Sequence, residues 1–376
     1  MTASPRRIVI AYITAGIGHR RAAEALAQAA RADGHDVHLV DVLDYMPAWF
    51  RWLCPRLYIF CVHFFPSVWA VSFYATDRSW VERLTGPFRR WGNRRMARRF
   101  LRWLTQLQPA VLINAHFLPP EVVAPWKKNH MPALQVWNVV TDYRPHAWWM
   151  VPGVDRYFAG LEETRDALIA RGIPPQQIRV SGIPVDGQFY QPGEVEACRA
   201  KHVAAQDRLA LLVTSGGYGV GPVERLCRSV LAMSPEAQAR AQLIIVAGDN
   251  PALARRLARR SRDAGMPVRV LGFTREMHEL MAAADVVITK PGGMTVTEAL
   301  VVGRPLILFA PIWGQESGNA ELLVRHGVAQ LLRSPADCGP LIEQWLKDPA
   351  ALAAMRARIA AMRREPATAQ ILSELA

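Results

Sequence analysis

The sequence predicts an α/β protein built from two doubly wound parallel-sheet domains. Three observations carry this. Short runs rich in Val, Ile and Leu alternate with helical stretches through both halves, which is the βα rhythm of a parallel sheet. A Pro- and Gly-rich stretch from residue 182, turning polar by about residue 206, interrupts that rhythm once. The 376 residues are enough for two cores of ordinary size. The first half places strands at residues 7–13, 37–42, 110–115, 134–140 and 156–158, with a helix from 18 to about 32 behind the first. The second half places them at 209–214, 243–247, 268–271, 286–289, 306–310 and 328–331. The domains accordingly read as 1–185 and 207–355, joined by a linker over 186–206 and followed by a helical segment over 356–376.

The interval between the second and third strands departs from that rhythm. Residues 47–80 hold Trp49, Trp52, Phe64, Phe65 and Trp69 among many apolar neighbours, and from 57 to 75 His63 is the only residue able to carry charge. The length nominally suits a bilayer span, but Pro66 and the spread of aromatic rings favour a helix pair lying in the interface. Directly afterwards, eight arginines fall between 83 and 103, Arg94, Arg95 and Arg98 among them. Their spacing of three and four predicts a helix with apolar residues on one face and arginine on the other. A solvated basic face is the plain alternative for such a run. Behind an apolar aromatic segment it reads better as a docking surface for anionic membrane lipid.

Bulk properties agree. The net charge of +13 is uneven: residues 1–190 carry 23 Lys and Arg against 14 Asp and Glu, and ten of the twelve tryptophans lie before residue 150. Hydrophobic residues make up 51% and mean hydropathy is +0.04, both high for a soluble enzyme. A nucleic-acid partner is not expected, because no groove-reading or base-stacking motif accompanies the basic residues. The five cysteines have neither disulfide-framework nor zinc spacing, which fits a reducing compartment. The opening MTASPRRIVIAYI reads as a first strand with no signal-peptide cleavage site.

Residues 285–319 hold the clearest chemistry. An apolar strand meets Pro291-Gly292-Gly293, and the composition then turns helical from Met294 to Val302, so backbone N–H groups, Thr295 among them, face outward at a helix start. That is a place for phosphate. Glu298, one turn in, can accept hydrogen bonds from ribose hydroxyls. The next βα loop carries Gln315, Glu316 and Asn319, groups suited to sugar hydroxyls. Gly216, Gly217 and Gly219, after the strand at 209–214, offer a second backbone cradle. A Gly-Gly pair alone is equally an ordinary strand-to-helix turn; two polar loops after successive strands favour a ligand. No carboxylate pair with metal-ligand spacing stands beside these loops, so no metal and no permanently bound cofactor is expected.

In the first half, His19 ends the run Thr14-Ala-Gly-Ile-Gly-His19 between strand one and helix one. The positive end of a helix lowers an imidazole pKa and keeps it neutral, able to take a proton. Asp142, in Thr141-Asp-Tyr-Arg-Pro-His146 after a strand, can orient His19 or an acceptor hydroxyl, or simply form a turn. His146, Trp148 and Trp149 would line an apolar path to His19.

These motifs resemble one family. Lys290-Pro-Gly-Gly-Met-Thr-Val-Thr-Glu298 and Gly314-Gln-Glu-Ser-Gly-Asn319 look like the donor signature of the diacylglycerol glycosyltransferases of glycosyltransferase family 28. Gly16-Ile-Gly-His19, Thr141 to His146, Ser181-Gly-Ile-Pro184 and Ser215-Gly-Gly217 extend the match along nearly the whole chain. The resemblance implies a GT-B fold, two Rossmann-like domains facing a cleft, with the C-terminal segment crossing back to the first. It also implies a UDP-sugar co-substrate, UDP-glucose or UDP-galactose, with the pyrimidine at Gly272-Phe273-Thr274, the diphosphate at Gly292 to Thr295 and the hexose at Gln315, Glu316 and Asn319. His19 would then be the base for a diacylglycerol hydroxyl in an inverting displacement, at the cytoplasmic face of the membrane. The loop Ala15-Gly-Ile-Gly-His19 is nearer the bacterial glucosyltransferases than the plant-type galactolipid synthases. Competing readings are a nucleotide-sugar epimerase on the same plan, and a transferase to another lipid acceptor, such as a lipid-linked UDP-GlcNAc type.

Overall fold

A computed structural model of the chain describes residues 4–14, 16–217, 219, 221–314 and 316–375. They gather into two units, one of residues 1–187, 312–318 and 364–376, the other of 188–311 and 319–363. The first is built on six strands: β1 (Arg7–Tyr12), β2 (Asp36–Asp41), β3 (Val111–Asn114), β4 (Gln135–Val139), β5 (Arg156–Ala159) and β6 (Ile178–Val180). They pair in parallel in the order β2-β1-β3-β4-β5-β6. β1 and β3 are nearly all buried, as the apolar runs Ile8–Ala11 and Val111–Ile113 require of strands covered on both faces. The winding reverses between β1 and β3, the place in an open parallel sheet where ligands ordinarily bind at the carboxyl ends of the strands.

The second unit repeats the plan with β7 (Leu209–Thr214), β8 (Ala241–Val246), β9 (Val268–Leu271), β10 (Val286–Thr289), β11 (Leu306–Leu308) and β12 (Ala329–Leu331). Their order, β12-β11-β10-β7-β8-β9, is again all parallel and puts the reversal between β7 and β10.

Three expectations about organisation change. β6 escapes the sequence pattern because it is three residues long with Arg179 at its centre. Residues 186–206 are no free linker: Val195–His202 forms a helix packed on the helix Met277–Ala283 of the second unit, with Cys198, His202 and Val203 buried. The C-terminal segment is two helices. Ala350–Ala361 belongs to the second unit, whereas Ala367–Ser373 returns to the first, where Glu374 pairs with Arg156 and, at 2.9 Å, with Arg179.

Between β2 and β3 the first unit inserts four helices after α1 (Ile17–Ala32): α2 (Ala48–Phe64), α3 (Pro66–Thr76), α4 (Ser79–Met96) and α5 (Arg98–Leu107). Pro66 starts α3, where its missing N–H costs nothing. The axes over Ala48–Val62 and α3 meet at 110°, and among the described residues no single helix is long and apolar enough to cross a membrane. The arginine-rich run predicted as one amphipathic helix breaks at Ala97 into α4 and α5. On α5, Phe100, Leu101 and Leu104 are buried. On α4 the apolar side is the exposed one: Trp80, Leu84, Phe88 and Trp91 recur every three or four residues and are 58–76% exposed. Arg94, Arg95 and Arg98 are exposed as expected. Arg89 and Arg90 instead turn inward to Glu82, at 2.9 and 2.8 Å, and Arg89 also to Glu121 on α6 (Leu118–His130).

Candidate active site

In the first unit the site grows from the loop after β1. Gly16 takes φ +155°, ψ 158°, a conformation open in practice only to glycine, and caps α1 with no side-chain bond. His19 falls in the first turn of α1. Its Nδ1 lies 2.9 Å from the carbonyl oxygen of Ala115 and 2.9 Å from Thr141 Oγ1, on the loops after β3 and β4. A carbonyl oxygen only accepts, so Nδ1 carries the hydrogen and Nε2 keeps its lone pair. Burial lowers the His19 pKa to about 4, and the bond to Ala115 opposes this in part. Desolvation, more than the helix end, therefore keeps the ring neutral. Some of the residue's surface remains open.

The neighbours of His19 differ from those the sequence suggested. Thr141, one residue before Asp142, meets the Nδ1 edge of His19. Asp142 is partly exposed, and its charge, like that of Glu316, raises the pKa of Tyr58 on α2, after the larger effect of burial. His116 was not foreseen. It is 3% exposed, its ring meets that of His19 edge to face at 4.6 Å, and its Nδ1 accepts the Leu118 N–H at 3.1 Å.

The proposed acceptor path needs correction at two residues. His146 is buried, with Nε2 donating to the Phe73 carbonyl at 3.0 Å and Nδ1 accepting from Trp148 N; it clamps the end of α3 to the loop after β4. Trp149 is a core residue at 1% exposure, 6.5 Å from the His19 ring. Trp148 remains partly exposed beneath the guanidinium of Arg89, 4.7 Å from its ring centre. Trp49, Trp52, Phe64 and Phe65 are at least half exposed, whereas Trp69 is partly buried against Tyr58.

In the second unit, Gly292 caps the helix Gly293–Val302 without a side-chain bond, leaving first-turn N–H groups, those of Met294 and Thr295 included, at the carboxyl end of β10. The loop after β7, the neighbouring strand across the reversal point, carries Gly216 and Gly217. The Lys290 stem lies along this loop, its Cδ 3.7 Å from where a Cβ on Gly221 would stand. Backbone donors and a helix start thus lie where the winding reverses, with the Lys290 stem beside them, a setting that favours an anion. Lys290 gave no signal in the sequence beyond its place in the motif.

Glu298 is buried at 2% exposure on that helix. Phe273, after β9, is 62% exposed, and Thr274 Oγ1 accepts the Glu276 N–H at 3.0 Å, so its hydroxyl shapes the turn. Asn319 is wholly buried, and its Nδ2 donates to the Pro291 carbonyl at 3.1 Å, bracing the Gly292-Gly293 turn. Gln315 lies outside the described residues.

The loop 312–318 belongs to the first unit. Glu316 closes it by accepting the Ile312 N–H at 2.8 Å. Gly314, at φ +87°, lies flat on Phe73 of α3: a Cβ there would come within 2.5 Å of the ring. Among the described residues one cluster, His202, Glu276 and Glu279, has the composition of a metal site, but the Lys201 ammonium already sits at 3.0 and 2.7 Å from the two carboxylates.

Residues 19–185 match the family model described as monogalactosyldiacylglycerol (MGDG) synthase, and residues 210–367 match the glycosyltransferase family 28 C-terminal domain. A processive diacylglycerol beta-glucosyltransferase of Bacillus cereus (strain B4264) is 28% identical over 93% of this chain and 88% of its own length. A probable monogalactosyldiacylglycerol synthase 2 of Oryza sativa subsp. japonica is 30% identical over 92% and 74%. The crystal structure of Acinetobacter baumannii MurG superposes with a TM-score of 0.62 over 98% of this chain and 99% of that one, at 14% identity. That likeness establishes the two-domain GT-B fold.

Proposed function

This chain belongs to glycosyltransferase family 28, in its diacylglycerol glycosyltransferase branch, and from that premise we propose that it moves a hexose from a UDP-sugar to the free hydroxyl of diacylglycerol with inversion. The strongest support is the state of His19. With Nδ1–H held by the Ala115 carbonyl, Nε2 carries a lone pair and is unprotonated at neutral pH.

In this mechanism the acceptor oxygen attacks the anomeric carbon while His19 Nε2 takes its proton. The bond from that carbon to the diphosphate oxygen breaks on the opposite side, and the electron pair leaves with UDP. An α-linked donor therefore gives a β-glycoside. The charge appearing on the departing phosphate falls to the N–H groups of Gly293 to Thr295, the helix end and the Lys290 ammonium. Glu298 takes the ribose hydroxyls, Phe273 and its loop the pyrimidine, and Glu316 the hexose.

Membrane docking belongs to the same proposal. Trp49, Trp52, Phe64 and Phe65 on and after α2 and Trp80, Leu84, Phe88 and Trp91 on α4 are exposed large apolar side chains of the kind that mark an interaction surface when they cluster. Arg94, Arg95 and Arg98 follow. At about 1 kcal/mol per arginine near an anionic leaflet, three of them with buried aromatic rings give reversible attachment to the cytoplasmic face.

The test is direct. Purified protein with labelled UDP-glucose or UDP-galactose and vesicles containing diacylglycerol is expected to form a glycosyldiacylglycerol. Folded protein that binds UDP but forms no glycolipid with either donor would sink the proposal.

A further inference from the structure

The buried imidazole of His116 takes no part in the mechanism above. It sits at the carboxyl end of β3, beside β1, so the winding reversal of the first sheet brings it to the base. Its ring stands nearly perpendicular to that of His19, at an interplanar angle of 83° and a centroid distance of 4.6 Å. Its far side rests on Phe117, with centroids 4.0 Å apart. The Leu118 N–H bonds its Nδ1, so the ring cannot turn without breaking that bond.

We propose that His116 is a positioning residue for the base: its ring fixes the plane of His19 and keeps water from one side of it, so that Nε2 is presented unprotonated to the acceptor hydroxyl. This rests on the role given to His19 in the transfer reaction.

The surroundings of His19 leave this task to His116. Among the described residues, the His19 ring meets the Ala115 carbonyl, the Thr141 hydroxyl and the rings of His116 and Trp149. The first two hold one edge, at Nδ1, and cannot by themselves dry the ring face. His116 is itself titratable, and burial followed by the field of His19 holds its own pKa well below the ordinary histidine value. It therefore stays neutral while its neighbour takes the proton. A charged side chain in its place would compete with the imidazolium that forms on His19; a small one would admit water.

Two substitutions and two readouts test this. In His116→Ala, water reaches His19, and its ring resonances in NMR are expected to titrate more than one pH unit above the wild-type midpoint near 4. Transfer at neutral pH is expected to fall about 10-fold or more while UDP affinity holds. His116→Phe restores a ring at the same place and is expected to bring the His19 midpoint back toward 4 and recover most of the rate. His116→Ala with an unchanged His19 midpoint and rate overturns the proposal, as does a His116→Phe protein that binds UDP but behaves like the alanine variant. The NMR titration needs no turnover, so it distinguishes failure of this inference from failure of the transferase assignment.

Discussion

The guanidinium of Arg89 on α4 lies 2.5 Å from the carboxyl of Glu121 on α6, whose side chain keeps 1% of its surface. Burial pushes the Glu121 pKa up to about 7, against the pull of Arg89 and the bond from Asn93. The folded state thus holds a proton that the unfolded chain releases near 4.5. Folded stability is full below that value and declines as pH rises from about 4.5 to about 7, by an amount on the order of 3 kcal/mol. Glu121→Gln should remove most of this slope. Urea unfolding of both proteins at pH 5 and pH 8 measures it; parallel slopes would contradict the assignment.

His19 yields the opposite sign for activity, because its neutral form is the working one. Transfer is expected to be flat from pH 6 to 8 and to fall only as pH drops toward about 4. His19→Ala should reduce kcat by roughly 100-fold to 10,000-fold, the usual range for a lost general base, with UDP affinity unchanged. A variant retaining most of its rate would transfer the role elsewhere.

How much of this site was legible in the sequence depends on how local each partnership is. The turn Pro291-Gly292-Gly293 and its helix could be read directly, because turn chemistry and helix start are properties of adjacent residues. The exposed aromatics of α2 were legible from sheer apolarity. The Thr141 contact to His19 was not, since 122 residues separate them and only sheet order brings their loops together. Trp148 and Trp149 are adjacent and chemically identical, yet one is core and the other partly open; the difference comes from the short turn Ala147–Trp149. Arg89 and Arg90 looked like their solvated neighbours because Glu121 lies on a different helix.

Gly314 and Phe73 give a packing prediction. Any Cβ at 314 collides with the ring and must also sustain a left-handed φ. Gly314→Ala should cost about 1–3 kcal/mol or displace the loop that carries Glu316, raising the KM for the UDP-sugar. Adding Phe73→Ala relieves the collision but not the backbone strain, so the double variant should recover only in part. Full recovery would mean that the φ value carries no cost.

Lys290 separates the diphosphate from the rest of the donor. Lys290→Met keeps the stem beside Gly221 and removes the charge. Calorimetric titration should show UDP weakened about 10-fold or more, consistent with a lost charge-assisted contact, and uridine nearly unchanged. Equal loss for both ligands would argue that Lys290 shapes the loop instead of meeting phosphate.

The exposed faces of α2 and α4 make opposite predictions for apolar and basic substitutions. Phe88→Asp and Trp91→Asp place charge on the apolar stripe and should reduce flotation with vesicles of any headgroup, without changing UDP binding in the other unit. Replacing Arg94, Arg95 and Arg98 by Gln should spare neutral vesicles and weaken anionic ones, by about 1 kcal/mol per residue at low salt. Raising salt should then erase the difference from wild type, because the Debye length shrinks to about 3 Å at 1 M. Salt-independent flotation of the wild type would leave the arginines as a solvated face and assign attachment to the aromatic rings alone.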